Sequence, residues 1–187
     1  AKNTTSQQLV HIREEEQQAA AKILGAKKVH FLGYEDGALE ITQTLKKDLV
    51  TVIRTVRPDT VVVMDPTMIY SSQLGVINHS DHRAAGQATL DAVYPIARDH
   101  LSFPDLYAAG LEPHKVAHLL LINLEKQNCF VDISDTFDLK LAGLLAHKSQ
   151  IADTEKVRMM LRSRAEQAGQ QTGLSLAEGF VRIDVPV

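Results

Sequence analysis

Apolar residues recur along this chain at two spacings, which predict helices and strands in alternation. A return every three or four residues is typical of a helix with one buried face, and five segments show it: residues 6–24, 45–56, 81–98, 137–145 and 154–168. Short apolar runs are typical of buried strands, and five segments show them: residues 28–32, 60–64, 116–122, 130–133 and 177–183. Since no repeat or linker divides the chain, we predict one α/β domain spanning residues 1–187.

Two loops leave the carboxyl ends of predicted strands. The strand at residues 60–64 is apolar after its first residue, as expected when both faces of a parallel sheet are covered. It is followed by a long loop at 66–78, for which the pattern predicts no regular structure, and the strand at 28–32 is followed by a turn at 33–37 that contains two glycines. Ligands of parallel sheets bind beyond the carboxyl ends of the strands. We therefore expect the two loops to form walls of one pocket.

Composition narrows the class of partner. A formal net charge of −3 and a pI near 6.2 argue against nucleic acid and membrane surfaces, so a small molecule is the expected partner. No apolar run is long enough to span a membrane, and the polar opening does not resemble a secretory signal, which favours the cytoplasm. Cys129 is the single cysteine, so a metal ion would need His, Asp or Glu ligands.

The best candidate for chemistry is a polar cluster at the predicted start of a helix. Asn78 or Ser80 is expected to cap this helix, and His79 and His82 then lie about one turn apart. Free N–H groups and a partial positive charge at a helix start suit an anion, a developing oxyanion or a neutral metal-binding histidine. The alternative is that the cluster only caps the helix.

Several segments, taken in order, are similar to the LmbE-like, or PIG-L, family of zinc-dependent N-acetylglucosaminyl deacetylases. Three of them are Arg13-Glu14-Glu15-Glu16, Phe31-Leu32-Gly33-Tyr34-Glu35-Asp36-Gly37 and His79-Ser80-Asp81-His82-Arg83-Ala84-Ala85-Gly86. Others are Ile53-Arg54, Arg57-Pro58-Asp59, His147-Lys148-Ser149-Gln150 and Ala177-Glu178-Gly179-Phe180. The resemblance implies a Rossmann-like three-layer α/β/α fold with a mainly parallel sheet whose first strand is missing here.

The resemblance also implies roles for five residues. His82 corresponds to a ligand of Zn²⁺, or of another divalent metal, which would polarise the acetyl carbonyl and activate water. His79 corresponds to the group that stabilises the oxyanion or protonates the leaving amine. Asp81, between the two histidines, is interpreted as a residue that orients the catalytic centre or caps the helix rather than as a ligand, and the alternative is an ordinary acid in the first turn of the helix. Arg13 and Asp36 correspond to residues that bind sugar hydroxyls. Without the family, Arg13 is more simply a solvated helix charge and Asp36 a turn former.

The chain departs from the family at one point. Members normally open with a strand that runs into Ala-His-Pro-Asp-Asp, which supplies further zinc ligands and the general base, whereas no His-Pro or Asp-Asp occurs here. The alternatives are an N-terminally incomplete sequence or a member that has lost catalysis; the retained order of the later segments favours the first. In either case the sequence offers only His82 as a zinc ligand where a catalytic zinc generally has three, so deacetylation is expected of the complete protein and is in doubt for this chain alone. An exposed sheet edge would allow pairing with a second copy.

Two hypotheses of function follow. The first is a metal-dependent hydrolase that removes the acetyl group from an N-acetylglucosamine conjugate through zinc-activated water. The second is a non-catalytic sugar-binding or interaction domain that keeps the fold without a complete zinc site. A nucleotide-binding domain is disfavoured, because no Gly-x-Gly-x-x-Gly motif follows a predicted strand.

Overall fold

The computed structural model describes residues 5–72 and 74–186. The helices are α1 (Ser6–Ile23), α2 (Gln43–Val56), α3 (Ser80–Val93), α4 (Pro104–Ala108), α5 (Phe137–Leu145) and α6 (Thr154–Gln170), with a 3₁₀ turn at Ile96–Arg98. The strands are β1 (Thr60–Met64), β2 (Tyr70–Ser71), β3 (Val76–Ile77), β4 (His118–Ile122), β5 (Cys129–Asp132) and β6 (Ala177–Asp184). The predicted α/β class is confirmed. No helix within these described ranges is both long and apolar enough to cross a bilayer.

The chain groups into two compact units. The first consists of Ala1–Phe31 and Phe130–Glu178, and the second of Leu32–Cys129 and Gly179–Val187. A single domain over the whole chain stays a prediction.

The first unit is built from helices α1, α5 and α6. A capping box fixes the start of α1, since the Thr5 hydroxyl accepts from the Gln8 N–H and the Gln8 side chain accepts from the Thr5 N–H. Helix α1 packs against α5, and the Glu16 carboxylate of α1 accepts hydrogen bonds from the backbone N–H (2.6 Å) and hydroxyl (2.7 Å) of Ser149. Two of the segments that resemble the family therefore contact one another.

The second unit places helices α2 and α3 beside the paired strands β1 and β4. Strand β1 runs parallel to β4, from the pair Thr60–His118 to the pair Met64–Ile122, and β4 pairs antiparallel with β6. The core is formed by apolar side chains from both helices, from β4 and from the segments that connect them: Val50, Ile53, Ala92, Val93, Ala97, Leu106, Val116, Leu119 and Leu121.

Strand β1 is less buried than its sequence predicts. It stands at one end of the strand order β1-β4-β6-β5, and Val62 is 54% exposed. The expectation that both faces of residues 60–64 are covered is therefore wrong. An apolar run alone does not distinguish a central strand from an edge strand, because the neighbours that cover a strand come from elsewhere in the chain.

Two other strand and loop expectations are corrected. Residues 28–32 are not assigned as a strand, since they form no ladder with another described strand, and Phe31 and Leu32 are exposed. The loop at 66–78 contains a short antiparallel hairpin in which Tyr70 pairs with Ile77. Strand pairing is a long-range property that short apolar runs do not specify.

Two helix boundaries also differ from expectation. Helix α3 ends at Val93 rather than near residue 98, because Pro95 lacks an N–H and restricts Tyr94 to an extended conformation. Helix α6 continues through Gly169, where a Cβ would collide with the Leu174 carbonyl. This glycine therefore permits close packing rather than ending the helix.

Candidate functional site

The carboxyl ends of β1 and β4 carry a buried polar pair. Asp65 follows β1 and Asn123 follows β4, and the Asn123 side-chain amide donates to one Asp65 carboxylate oxygen at 2.7 Å. The other oxygen accepts from the backbone N–H (2.8 Å) and hydroxyl (2.7 Å) of Thr67. Burial alone would raise the pKa of Asp65, but these hydrogen bonds outweigh burial and hold the pKa below its ordinary value. The pair fixes the start of the 66–78 loop.

Replacing Asp65 by asparagine is expected to lower the free energy of unfolding by about 2 kcal/mol at pH 7. The reason is that the new amide NH₂ would face hydrogen-bond donors of Thr67 or Asn123 in place of a carboxylate oxygen that accepts from them. Since the pKa of Asp65 is lowered on folding, its contribution is present above the ordinary aspartate value, about pH 4, and is lost as the pH falls further. Urea unfolding should therefore show a gap between the two proteins at pH 7 that narrows below about pH 4. The exposed Asp135→Asn variant is the control, and an equal gap at both pH values would contradict the assignment.

Asn78 and Gly86 attach helix α3 to the end of β1. The Asn78 side chain is buried and donates to the Met68 carbonyl at 2.8 Å, and its backbone N–H donates to Ile69 at 2.9 Å. A Cβ at Gly86 would collide with the Met64 carbonyl oxygen, so only glycine allows this approach of helix and strand. The start of α3 therefore has a defined position relative to β1.

His79 is the N-cap of α3. The expectation that Asn78 or Ser80 caps the helix is wrong, because the Asn78 side chain is already committed to the 66–78 loop and Ser80 is the first helical residue. The Nδ1 atom of His79 accepts the Asp81 backbone N–H at 3.2 Å. A neutral imidazole that accepts at Nδ1 carries its proton on Nε2. The about half-exposed His79 ring therefore offers an N–H donor, and the His82 ring lies with its centroid 5.6 Å away.

Asp81 holds the 33–37 turn against the start of α3. One carboxylate oxygen accepts from the backbone N–H of Gly37 at 2.6 Å, and the other accepts from the backbone N–H of Leu39 at 3.4 Å. The Gly37 N–H, helped by Leu39, keeps the pKa of Asp81 below its ordinary value. Both loops predicted to wall the pocket therefore reach the N-terminus of α3. Because its two oxygens face backbone N–H groups, Asp81 serves to orient the turn.

Replacing Asp81 by asparagine is expected to loosen this turn, because one backbone N–H would then face an amide NH₂. Hydrogen exchange at the Gly37 and Leu39 amides should become faster overall. Asp91→Asn is the matched control, since Asp91 lies on the same helix and pairs with Lys46 at 2.7 Å. Unchanged exchange at both Gly37 and Leu39 would refute the role.

Arg13 and Asp36 belong to different compact units. Arg13 lies half-buried on α1 in the first unit, and Asp36 is exposed in the turn of the second unit. Their sugar-binding roles stay predictions.

The zinc site that the sequence resemblance implies is not formed by the described residues alone. Within 5–72 and 74–186, no three His, Cys, Asp or Glu side chains cluster so as to hold a metal ion. His79 and His82 are neighbours, but the Nδ1 of His79 is engaged by Asp81. A catalytic zinc generally has three protein ligands, so these residues do not by themselves fit a zinc centre.

Sequence reasoning missed the buried polar scaffold of Asp65, Asn78 and Asn123. A usable signal was present, since Asp65 and Asn123 each come directly after an apolar strand. Adjacent parallel strands bring their following residues to one edge, but the pairing of β1 with β4 was needed to recognise this.

The amino-acid sequence of this chain is similar to those of known proteins. The family model PIG-L, described as GlcNAc-PI de-N-acetylase, matches residues 1–93. The diacetylchitobiose deacetylase of Thermococcus kodakarensis is 37% identical over 170 residues, covering 90% of this chain and 61% of that protein. A Bacillus cereus protein named "Probable N-acetyl-alpha-D-glucosaminyl L-malate deacetylase 2" is 29% identical over 142 residues, covering 75% and 58%.

Structural similarity extends over almost the whole chain. The N,N'-diacetylchitobiose deacetylase of Pyrococcus horikoshii, solved with its inhibitor, superposes with a TM-score of 0.87 at 30% identity, covering 98% of this chain and 67% of that one. The chain spans about three fifths of the length of the curated relatives. Its sequence and its fold place the chain in the PIG-L, or LmbE-like, family.

Proposed function

We propose that the protein is an N-deacetylase that hydrolyses the acetamide of an N-acetylglucosamine conjugate. The observation that carries this proposal is the His79 imidazole, whose Nδ1 accepts the Asp81 N–H at the exposed start of α3. In a neutral ring the proton then lies on Nε2, where it can be donated. Relatives named for diacetylchitobiose and for N-acetylglucosaminyl malate support the same substrate class.

The reaction adds water across an amide bond. The water oxygen forms a bond to the acyl carbon, the C–N bond breaks, and acetate and a free amine result. In this proposal His79 either donates a hydrogen bond to the oxyanion or transfers its Nε2 proton to the leaving nitrogen. Asp81 orients the 33–37 turn that carries Asp36, and Asp36 and Arg13 bind sugar hydroxyls.

Acetate release from diacetylchitobiose and from N-acetylglucosaminyl malate tests the activity directly. We expect turnover of at least one conjugate in a preparation that binds metal, with the free amine formed in equal amount to acetate. A metal-loaded preparation that binds these sugars without releasing acetate would reject the proposal. That outcome would favour the second hypothesis, a non-catalytic sugar-binding domain. The lack of His-Pro and Asp-Asp in the sequence also favours that hypothesis.

We further propose His82 as one ligand of Zn²⁺, in a site whose other ligands the described residues do not supply as a cluster. After treatment with a chelator, His82→Ala is expected to weaken zinc affinity by at least about 10-fold, because imidazole is a good ligand for this ion. Titration with a zinc indicator measures the affinity without any need for activity. His100→Ala is the control, since His100 is exposed and remote in sequence. Equal affinities for wild type and His82→Ala would reject the role.

The partner is proposed to be a small molecule in the cytoplasm. The acidic balance and the single cysteine support this location. Association with a second copy stays a prediction.

A further inference from the structure

The hairpin of β2 and β3 exposes two apolar side chains next to His79. Tyr70 and Ile77 are directly opposed partners, so their side chains lie on one face of the hairpin. Tyr70 is 65% exposed and Ile77 is 82% exposed, whereas the residues that directly follow them in the chain, Ser71 and Asn78, are buried.

This alternation continues into the candidate site. Buried Asn78 is followed by exposed His79, so the exposed residues Ile77 and His79 stand on either side of one buried residue. The exposed pair of Tyr70 and Ile77 is therefore separated from His79, at its Ile77 end, by a single residue along the chain.

The side chains of this face carry no charge. It borders a concave space of about 400 Å³ lined by Ile69, Tyr70, Ser71, Gly75, Val76 and Ile77, none of which carries a charge. A second space of about 240 Å³ shares Ile69 and Tyr70 and is lined otherwise by Thr67, Met68, Asn123, Glu125 and Lys126. Tyr70 thus stands between an apolar space and a polar one.

These features specify the chemical class of occupant. A carboxylate-bearing group needs guanidinium, ammonium or N–H donors, which the side chains around the larger space do not provide. A pyranose ring presents an apolar C–H face and a rim of hydroxyls, which suits an exposed aromatic ring with a polar tip.

We propose that Tyr70, with Ile77, forms a subsite for the pyranose ring that adjoins the N-acetylglucosamine unit being deacetylated. Tyr70 is then a specificity-determining residue that favours a disaccharide over N-acetylglucosamine alone. This inference rests on the proposed deacetylase function.

The test compares substrates that differ by one ring. For Tyr70→Ala we expect kcat/KM with diacetylchitobiose to fall by about 20-fold, mainly through KM, because the contact area of one aromatic ring is lost. With N-acetylglucosamine itself, kcat/KM should change by less than about 2-fold, since the second ring is absent. Tyr70→Phe should keep the disaccharide preference, and Tyr107→Ala, which removes an exposed tyrosine on α4, is the matched control.

A measurement of sugar binding tests this inference independently of the proposed deacetylase activity. The affinity of each protein for diacetylchitobiose and for N-acetylglucosamine, measured by calorimetry, does not depend on turnover. If the wild type binds the disaccharide more tightly and Tyr70→Ala removes that preference, the subsite stands even where no acetate is released.

Three results would overturn the subsite. One is an equal loss for both sugars in Tyr70→Ala, which would assign Tyr70 to the fold or to the reacting ring. Another is tighter binding of an octyl glycoside of N-acetylglucosamine than of the disaccharide, which would indicate a general apolar surface. The last is a change from dimer to monomer in Tyr70→Ala by sedimentation, which would assign the face to contact between copies.

Discussion

Replacing His79 by asparagine is expected to lower kcat for deacetylation by about 10³-fold while changing the free energy of unfolding by less than about 0.5 kcal/mol. Asparagine is a good N-cap and can accept the Asp81 N–H as the His79 imidazole does. It cannot replace the Nε2–H that, in the proposed mechanism, serves the oxyanion or the leaving amine. The asparagine variant therefore separates the two roles of His79.

His79→Ala provides the comparison. It should lose the same activity and in addition about 1 kcal/mol of stability, because the cap is removed as well. Steady-state rates of acetate release and urea unfolding of all three proteins measure both effects. If His79→Asn retained more than about a tenth of wild-type kcat, the loss in His79→Ala would be due to helix capping, and the catalytic role would be rejected.

Arg54→Met is expected to lower the free energy of unfolding by about 3 kcal/mol. The Arg54 guanidinium is 2% exposed and donates to four backbone carbonyls, those of Ile96 (3.3 Å), Ala97 (3.1 Å), Asp99 (2.7 Å) and Ser102 (3.1 Å). Methionine fills a similar volume but donates nothing, so these carbonyls would lose their partner. Burial lowers the pKa of Arg54, opposed by the carboxylates of Asp99 and Glu112.

Two variants test the mechanism behind this loss. Arg54→Lys keeps a charged donor but reaches fewer carbonyls, so its loss should lie between wild type and Arg54→Met. Arg162→Met removes an exposed arginine paired with Glu166 at 3.0 Å and should cost less than about 0.5 kcal/mol. Urea unfolding followed by circular dichroism measures all of them. A midpoint for Arg54→Met equal to that of wild type would show that the carbonyls find other partners.

The sequence predicted those elements whose signal is local. The helix at 137–145 and the strand at 60–64 match α5 and β1 at both ends, because periodicity and flanking turn residues lie within the segment itself. The strand at 28–32 was mispredicted and the burial of Val62 overestimated, because both depend on neighbours distant in sequence.

In the candidate site, too, the sequence predicted local features and missed those that depend on contacts distant in sequence. The histidine cluster was recognisable from residues 79–82 alone. The cap assignment failed because the Asn78 side chain is used by the Met68 carbonyl, a contact set by the folded loop. The link from Asp81 to Gly37 joins residues 44 positions apart and has no signature in either segment.

The hairpin before α3 separates two kinds of evolutionary constraint within a few residues. Asn78 is fixed by buried hydrogen bonds, whereas Tyr70 and Ile77 project from a two-residue ladder outside the core. Substitutions at 70 and 77 should therefore accumulate among relatives with little loss of fold, and a library confined to these two positions offers a short route to altered sugar preference.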